Sequence, residues 1–235
     1  MIKHELINKS PLRILEQSIH GGLGKGNIGV IAARKGIGKT ACLVHIATDQ
    51  LFQGKHVIHV SFCSNTGHIV SWYEDIFNEI ARRNTLTGVM DIHDDIVRNR
   101  IIMNFSQDTT PIDKIKKNIA LFMENCNFTV DTIVVDGYNF NKATADEFKD
   151  FKRLANENNA EVWISASLQE DLSPGNNRGV PDVLAPFIND IAILISLEPK
   201  GPFVHFTLVK DHDIVPNANL HLKLDPQILL IAEEA

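Results

Sequence analysis

With 235 residues, 44% of them hydrophobic, the chain has apolar surface for one sizeable core, and a single domain over 1–235 is expected. Lys and Arg total 23 against 29 Asp and Glu, a formal net charge of -6, so the molecule as a whole repels a phosphate backbone. Nucleic acid is therefore not favoured as a partner, although a local basic patch would still bind it.

The N-terminal segment, 1–20, carries Lys3 and His4 and then Asn8, Lys9, Ser10 and Pro11 instead of an apolar run, so no secretory signal is read there. Short β-rich runs follow at 28–33, 56–62, 100–105, 132–136 and 161–166. They alternate with amphipathic stretches, the pattern of crossover helices covering a mostly parallel sheet, which makes the class α/β. Helices are expected at 40–52 and at 66–83, where Ile69, Trp72, Tyr73, Ile76 and Ile80 recur at helical spacing and should face the sheet. Another should run from Pro111, as a first-turn residue, to Cys126, and a further one from Thr144, with Glu147 as capping-box partner, to the polar stretch 156–159. Beyond the fifth strand the alternation stops. Residues 167–186, rich in Pro, Gly and Asn, read as a long loop. Runs at 190–197, 203–210, 220–224 and 228–231 read as consecutive strands, a C-terminal antiparallel β-extension over 190–235. The longest apolar run, 191–197, is far too short to cross a bilayer, so no membrane partner is expected. The cysteines Cys42, Cys63 and Cys126 have neither a close-pair zinc spacing nor the density of a secreted scaffold, which suits free thiols in a reducing, cytoplasmic compartment.

The chemistry concentrates after the first strand. Ala33-Arg34-Lys35-Gly36-Ile37-Gly38-Lys39-Thr40-Ala41 reads as strand end, glycine-bearing turn, then Lys-Thr opening a helix, the order of a phosphate-binding loop. Gly36 and Gly38 let the backbone curl so that successive N–H groups point inward, and the helix adds its positive dipole end. Lys39 would reach the β- and γ-phosphates of ATP, and the Thr40 hydroxyl would ligate a bridging Mg²⁺. Arg34, Lys35, Gly36, Ile37, Gly38, Lys39, Thr40 and Ala41 are the candidate nucleotide contacts. The first glycine of the usual pattern is replaced by Ala33, which tolerates the turn only at negative φ. An ordinary strand-turn-helix with a surface Gly-Lys-Thr is the plainer alternative, and the flanking context argues against it. The run 132–136 ends in Asp136, at the sheet edge where such folds bind ligands, and Asp136 would hold the Mg²⁺, through water. Strands often end in Asp merely to start a turn, so the motif draws its weight from lying downstream of the loop.

Smaller groupings have bland readings beside sharper ones. His56, His59, Cys63 and His68 suggest a metal site, but Cys63 is more often a small core residue and the histidines can simply flank a half-buried strand. Tyr138 and Phe140 offer rings for stacking on single-stranded bases. The loop at 167–186 carries Glu170, Asp171 and Asp182 but only Arg178, the wrong balance for tracking phosphates, so structural anchoring is the expected role of the two rings.

Gly21-Gly22-Leu23, Gly26-Asn27, the loop from Ala33 to Thr40 and Lys210-Asp211-His212 together resemble the RecA superfamily, particularly its KaiC-like and DnaB-helicase-like branch. The resemblance implies a RecA-like fold, ATP with Mg²⁺, and ring or filament homo-oligomers with nucleotide between subunits. In that family the second strand ends in a glutamate that activates the attacking water, and within Ser61-Phe62-Cys63-Ser64-Asn65 that place falls to Cys63. A thiol replaces a carboxylate poorly in that task, and Glu74 and Asp75 lie well inside the next helix. A γ-phosphate-sensing glutamine in related helicases aligns with Ser167, or with Gln169 after a shift of two residues. A Lys-x-Arg pair that reaches a neighbour's ATP reads Lys210-Asp211-His212 here, so Lys210 joins Lys39 and Asp136 as a candidate catalytic residue, while His212 lacks the guanidinium fork. A solvated strand end is the plainer reading of that segment. No counterpart of the extra N-terminal domain of replicative helicases is seen, so a complete helicase is not expected. The leading expectation is a nucleotide-dependent switch or assembly factor with slow or absent hydrolysis, ahead of a DNA-dependent motor and, behind that, a small-molecule kinase.

Overall fold

Five β-rich runs with helical stretches between them build the parallel part of one sheet: β1 (Ile28–Arg34), β2 (Val57–Ser61), β3 (Arg100–Asn104), β4 (Thr132–Asp136) and β5 (Glu161–Leu168). The computed structural model describes residues 2–62, 67–84, 89–106, 111–169, 179–216 and 218–234, with side chains from Leu6 onward. Four more strands, β6 (Ile193–Lys200), β7 (Phe203–Asp211), β8 (Ala218–Asp225) and β9 (Leu230–Glu233), complete a nine-stranded sheet in the order β3-β2-β4-β5-β1-β6-β7-β8-β9. β6 lies parallel to β1, with Gly29 opposite Ile193, and the antiparallel part begins with β7. A long connection between β5 and β6 is what permits this, since only a crossover returns the chain to the same end of a sheet.

β1 is buried on both faces, as a central parallel strand covered by helices should be. Its alternation divides the core. Ile31 and Ala33 point to one side with α3 (Lys39–Phe52), α4 (Gly67–Arg83), α5 (Val89–Arg98) and the short N-terminal helices α1 (Ile2–Lys9) and α2 (Leu12–Ser18). Val30 and Ala32 point to the other, against α6 (Ile112–Cys126) and α7 (Ala145–Glu157). On the first side the antiparallel strands also contribute, through Phe206, Leu222 and Leu224.

Several boundaries differ from expectation for local reasons. Pro111 is the N-cap of α6, extended at ψ 152, and the helix starts one residue later. Thr144 caps α7 with the complete reciprocal bond to Glu147. α5 is not among the expected helices, although Val89, Ile92 and Ile96 recur at helical spacing, with Ile92 and Ile96 its buried anchors. The long loop has structure at both ends: β5 extends through Leu168, and Asp182–Phe187 form a 3₁₀ helix. Cys63, Glu170, Asp171 and Arg178 lie outside the described residues. Among the described residues, no helix is long and apolar enough to cross a membrane.

Candidate functional site

The turn between β1 and α3 is shaped by two glycines in the left-handed region, Gly36 at φ +86° and Gly38 at φ +116°. At Gly36 an added Cβ would meet nothing within 4 Å, so the loop backbone faces open space. At Gly38 it would lie 2.4 Å from Leu224 Cδ2, so β8 closes on the far side of the turn. Ala33 stays within β1 without a left-handed φ, and the missing glycine therefore carries no strain. Ile37 packs on the core, and Ala41 is buried in the first turn of α3.

Lys39 is buried, and its ammonium donates to the carbonyls of Ala33 (2.9 Å) and Arg34 (2.8 Å). Burial pulls its pKa below the usual lysine range, while the nearby Asp136 carboxylate opposes the shift. Thr40 Oγ1 donates to Asp136 Oδ2 at 2.9 Å. Asp136 ends β4, which is separated from β1 by β5, and Ser165 on β5 spans the gap. Ser165 Oγ donates to Asp136 Oδ1 (2.8 Å) and accepts from the Gly137 N–H (2.9 Å). The carboxylate is thus held from both sides, by the helix that follows the loop and by the strand between.

These groups border a cleft of about 510 Å³ lined by Lys35, Gly36, Lys39, Thr40, Trp72 and Asp136 among others. Trp72, expected to face the sheet, is half-buried and reaches this cleft from α4. Ser167 lines the cleft as well, whereas Gln169 is exposed beyond the end of β5. A hydroxyl and a carboxylate side by side are oxygen ligands for a small hard cation that keeps most of its waters, such as Mg²⁺. A turn with two left-handed glycines opening a helix, a buried ammonium and that pair fit a magnesium-loaded polyphosphate.

Other sequence candidates lie elsewhere. Lys210 sits on β7 opposite Leu194, which lies beside Val30 on β1, toward the end of the strands remote from the loop. Its ammonium donates to the carbonyls of Ile188 (3.0 Å) and Ile191, and burial lowers its pKa. Within one chain it does not join the cleft. Glu74 pairs with His93 at 2.7 Å and faces Arg100 at 3.8 Å, so it is engaged by α5 and β3. His59 is buried with its Nδ1 3.0 Å from the Tyr73 hydroxyl, and His56 faces Thr129. Among the described residues no group of His, Cys, Asp and Glu is placed to hold a metal ion. Tyr138 packs edge-on against Phe140 and Phe151, and the buried Phe140 also meets Phe148 and Phe187, so both rings anchor the loop after β4. Sequence reasoning missed Ser165. Its signal was the two-residue spacing from Ser167, which puts both hydroxyls on one face of β5.

No family model matches the sequence, and no curated protein matches it. Solved structures match it in shape. One, "The Structure Of A DnaB-Like Replicative Helicase And Its Interactions With Primase", aligns with a TM-score of 0.67 and 17% identity over 90% of this chain and 59% of that one. This chain therefore spans less than two thirds of that helicase chain. Another, a structure of an ATPase domain, aligns with a TM-score of 0.67 and 15% identity over 94% of this chain and 89% of that one. Likeness at these identities shows the fold: a RecA-like α/β domain with a mostly parallel sheet and antiparallel C-terminal strands, shared with the DnaB-like helicase structure and with the ATPase domain.

Proposed function

We propose that the chain binds ATP with Mg²⁺ in the cleft beneath Gly36 and acts as a nucleotide-dependent switch or assembly factor whose hydrolysis is slow or absent. In this reading the amides from Lys35 to Ala41 hold the phosphates and Lys39 leaves its carbonyl contacts to neutralise the β- and γ-oxygens. Thr40 and Asp136 hold the cation, Asp136 through water. Magnesium, when bound, supplies charge neutralisation at the terminal phosphates. The observation that carries the reading is that Asp136 is the one carboxylate among the described residues lining the cleft. Hydroxyls on both of its oxygens fix it beside Thr40 as a cation holder, and no second carboxylate among the described lining residues is left to act as the base. By the sequence resemblance, the place of the base falls to Cys63. Nucleotide would then organise copies of the chain into a ring or filament, and Lys210 would serve a neighbour only after giving up the carbonyls of Ile188 and Ile191.

Calorimetry with MgATP tests binding, and Trp72 emission gives a second readout at the cleft. Lys39→Ala should weaken binding about 10- to 150-fold, the worth of a charge-assisted contact of ~1.5–3 kcal/mol. No uptake of MgATP by the folded chain would end the proposal. Single-turnover hydrolysis at the rate of a vigorous ATPase, abolished by Lys39→Ala, would remove the switch while leaving the binding site. A mass measurement with and without MgATP tests assembly.

A second reading, a DNA-dependent motor, draws on the shape shared with a replicative helicase over 90% of the chain. It requires salt-sensitive binding to single-stranded DNA and DNA-stimulated turnover, and the net charge of -6 argues against it.

A further inference from the structure

A second cavity, of about 530 Å³, opens at the other end of α3, where α1, α2, the end of α4 and β9 converge. It begins roughly 8 Å along the helix from Thr40, at the level of His45, by the usual rise per residue. Its apolar wall is formed by Ile14, Phe52, Ile80 and Leu230. Its polar groups are unevenly satisfied. His45, 3% exposed, accepts the Ile231 N–H at Nδ1 (3.0 Å), which places its own proton on Nε2. Burial drops its pKa to about 4, so the ring is a neutral donor. That Nε2–H has no partner among the described residues, and the ring borders the cavity. Arg13, on the same wall, has an unpartnered Nε–H.

The buried carboxylate there is already matched. Asp49 Oδ2 receives Arg13 and, at 2.8 Å, Gln53. Arg83 stands at the rim, 46% exposed, shared with Glu79. Lys9 also lines the opening, and Glu233 is the acid facing these cations across it. Two donors on this wall, His45 Nε2–H and Arg13 Nε–H, thus have no acceptor within hydrogen-bond reach among the described residues, and an unmet donor is costly. The apolar wall sets the rest of the specification.

We propose that this cavity is a second ligand site that takes a small amphipathic carboxylate, its apolar or aromatic body on the Phe52 wall and its oxygens accepting from His45 Nε2–H beside Arg13 and Arg83. The site is independent of the nucleotide reading, since none of its residues borders the first cleft. An occupant would bear on α3, the helix that opens with Lys39.

The test uses the whole chain without nucleotide and a pair of probes sharing one body, 1-naphthoate and 1-naphthylmethylammonium, with the His45 imidazole nitrogens followed by NMR. Naphthoate should shift the His45 Nε2 signal and bind with a dissociation constant of about 1 mM or tighter, the reach of a ligand of this size. The ammonium probe should bind at least about tenfold more weakly, as expected for a reversed charge beside Arg83. Arg83→Glu, on the half-exposed rim, should weaken naphthoate about fivefold or more and narrow the gap between the probes. Ala232→Trp, which puts a large ring at the β9 edge of the cavity, should abolish the shift if the urea midpoint shows the variant folded. A silent His45 signal, equal affinity for both probes, or undiminished naphthoate binding in Arg83→Glu would each overturn the proposal.

Discussion

Ser165→Ala removes a single oxygen that does two things: it donates to Asp136 Oδ1 at 2.8 Å and accepts the Gly137 N–H at 2.9 Å. Alanine fills nearly the same space, so no large cavity adds to the cost. A hydrogen bond to a charged acceptor contributes ~1.5–3 kcal/mol net and a neutral one ~0.5–1.5, which puts the expected loss at about 2–4 kcal/mol. Urea unfolding followed through the buried Trp163 reads this as a lower midpoint at unchanged slope. The second half concerns the ligand. With Asp136 no longer held by Ser165, binding of nucleotide in the presence of Mg²⁺ should fall about tenfold, the equivalent of ~1.4 kcal/mol, while binding without Mg²⁺ stays as it was. A stability change within about 0.5 kcal/mol, the range of an ordinary surface substitution, with magnesium dependence intact, would refute the claim that Ser165 tethers the carboxylate.

Gly38→Ala should cost ~1–2 kcal/mol for the left-handed backbone. The new Cβ, 2.4 Å from Leu224 Cδ2, should add ~1–3 kcal/mol of overpacking. Combining it with Leu224→Ala relieves only the second part, so a double-mutant cycle in urea should show coupling of about 1 kcal/mol or more, and strict additivity would deny the contact. Thr144→Ala opens the capping box of α7 and should lose about 1 kcal/mol; a loss indistinguishable from zero would mean the cap is replaced by water. His45 and His59 are held neutral by burial at pKa values of about 4, against an ordinary 6.5. The unfolded chain then binds more protons than the folded one between those values. Stability from these rings is complete above pH 6.5 and is lost as pH falls toward 4, about 3 kcal/mol for each ring. Unfolding free energies across that window should show the slope, and His45→Asn should remove about half of this contribution.

Much of the site was legible in the order of residues because its logic is local. Gly36, Gly38, Lys39 and Thr40 are consecutive or nearly so, and a strand before them and a helix after them leave the backbone few shapes. Asp136 was legible for a similar reason, as the polar end of an apolar run. Ser165 was not, since a serine in a strand has many ordinary uses and its value comes from the register that sets β5 between β4 and β1. Trp72 reads as a core residue from its helical spacing; its place at the rim of the apolar stripe brings it to the cleft. Lys210 is a candidate only by analogy with a pair that acts between subunits. In the chain itself the ammonium turns to carbonyls at the opposite end of the sheet, because a half-buried cation takes the nearest acceptors.

By itself, the sequence determined the α/β class, the parallel strands, the glycine-bearing turn that opens α3 and the carboxylate that faces it, all of which rest on periodicity and on glycine, lysine and threonine within one turn of chain. Only the tertiary structure decided that β6 runs parallel, that Leu224 backs Gly38, that Ser165 bridges Asp136, and that α3 carries a second cavity on His45 and Asp49. Those features depend on side chains far apart in the chain meeting at particular heights along neighbouring strands. Nothing in a residue's near neighbours specifies which strand will lie beside it, and the packing of the whole sheet does.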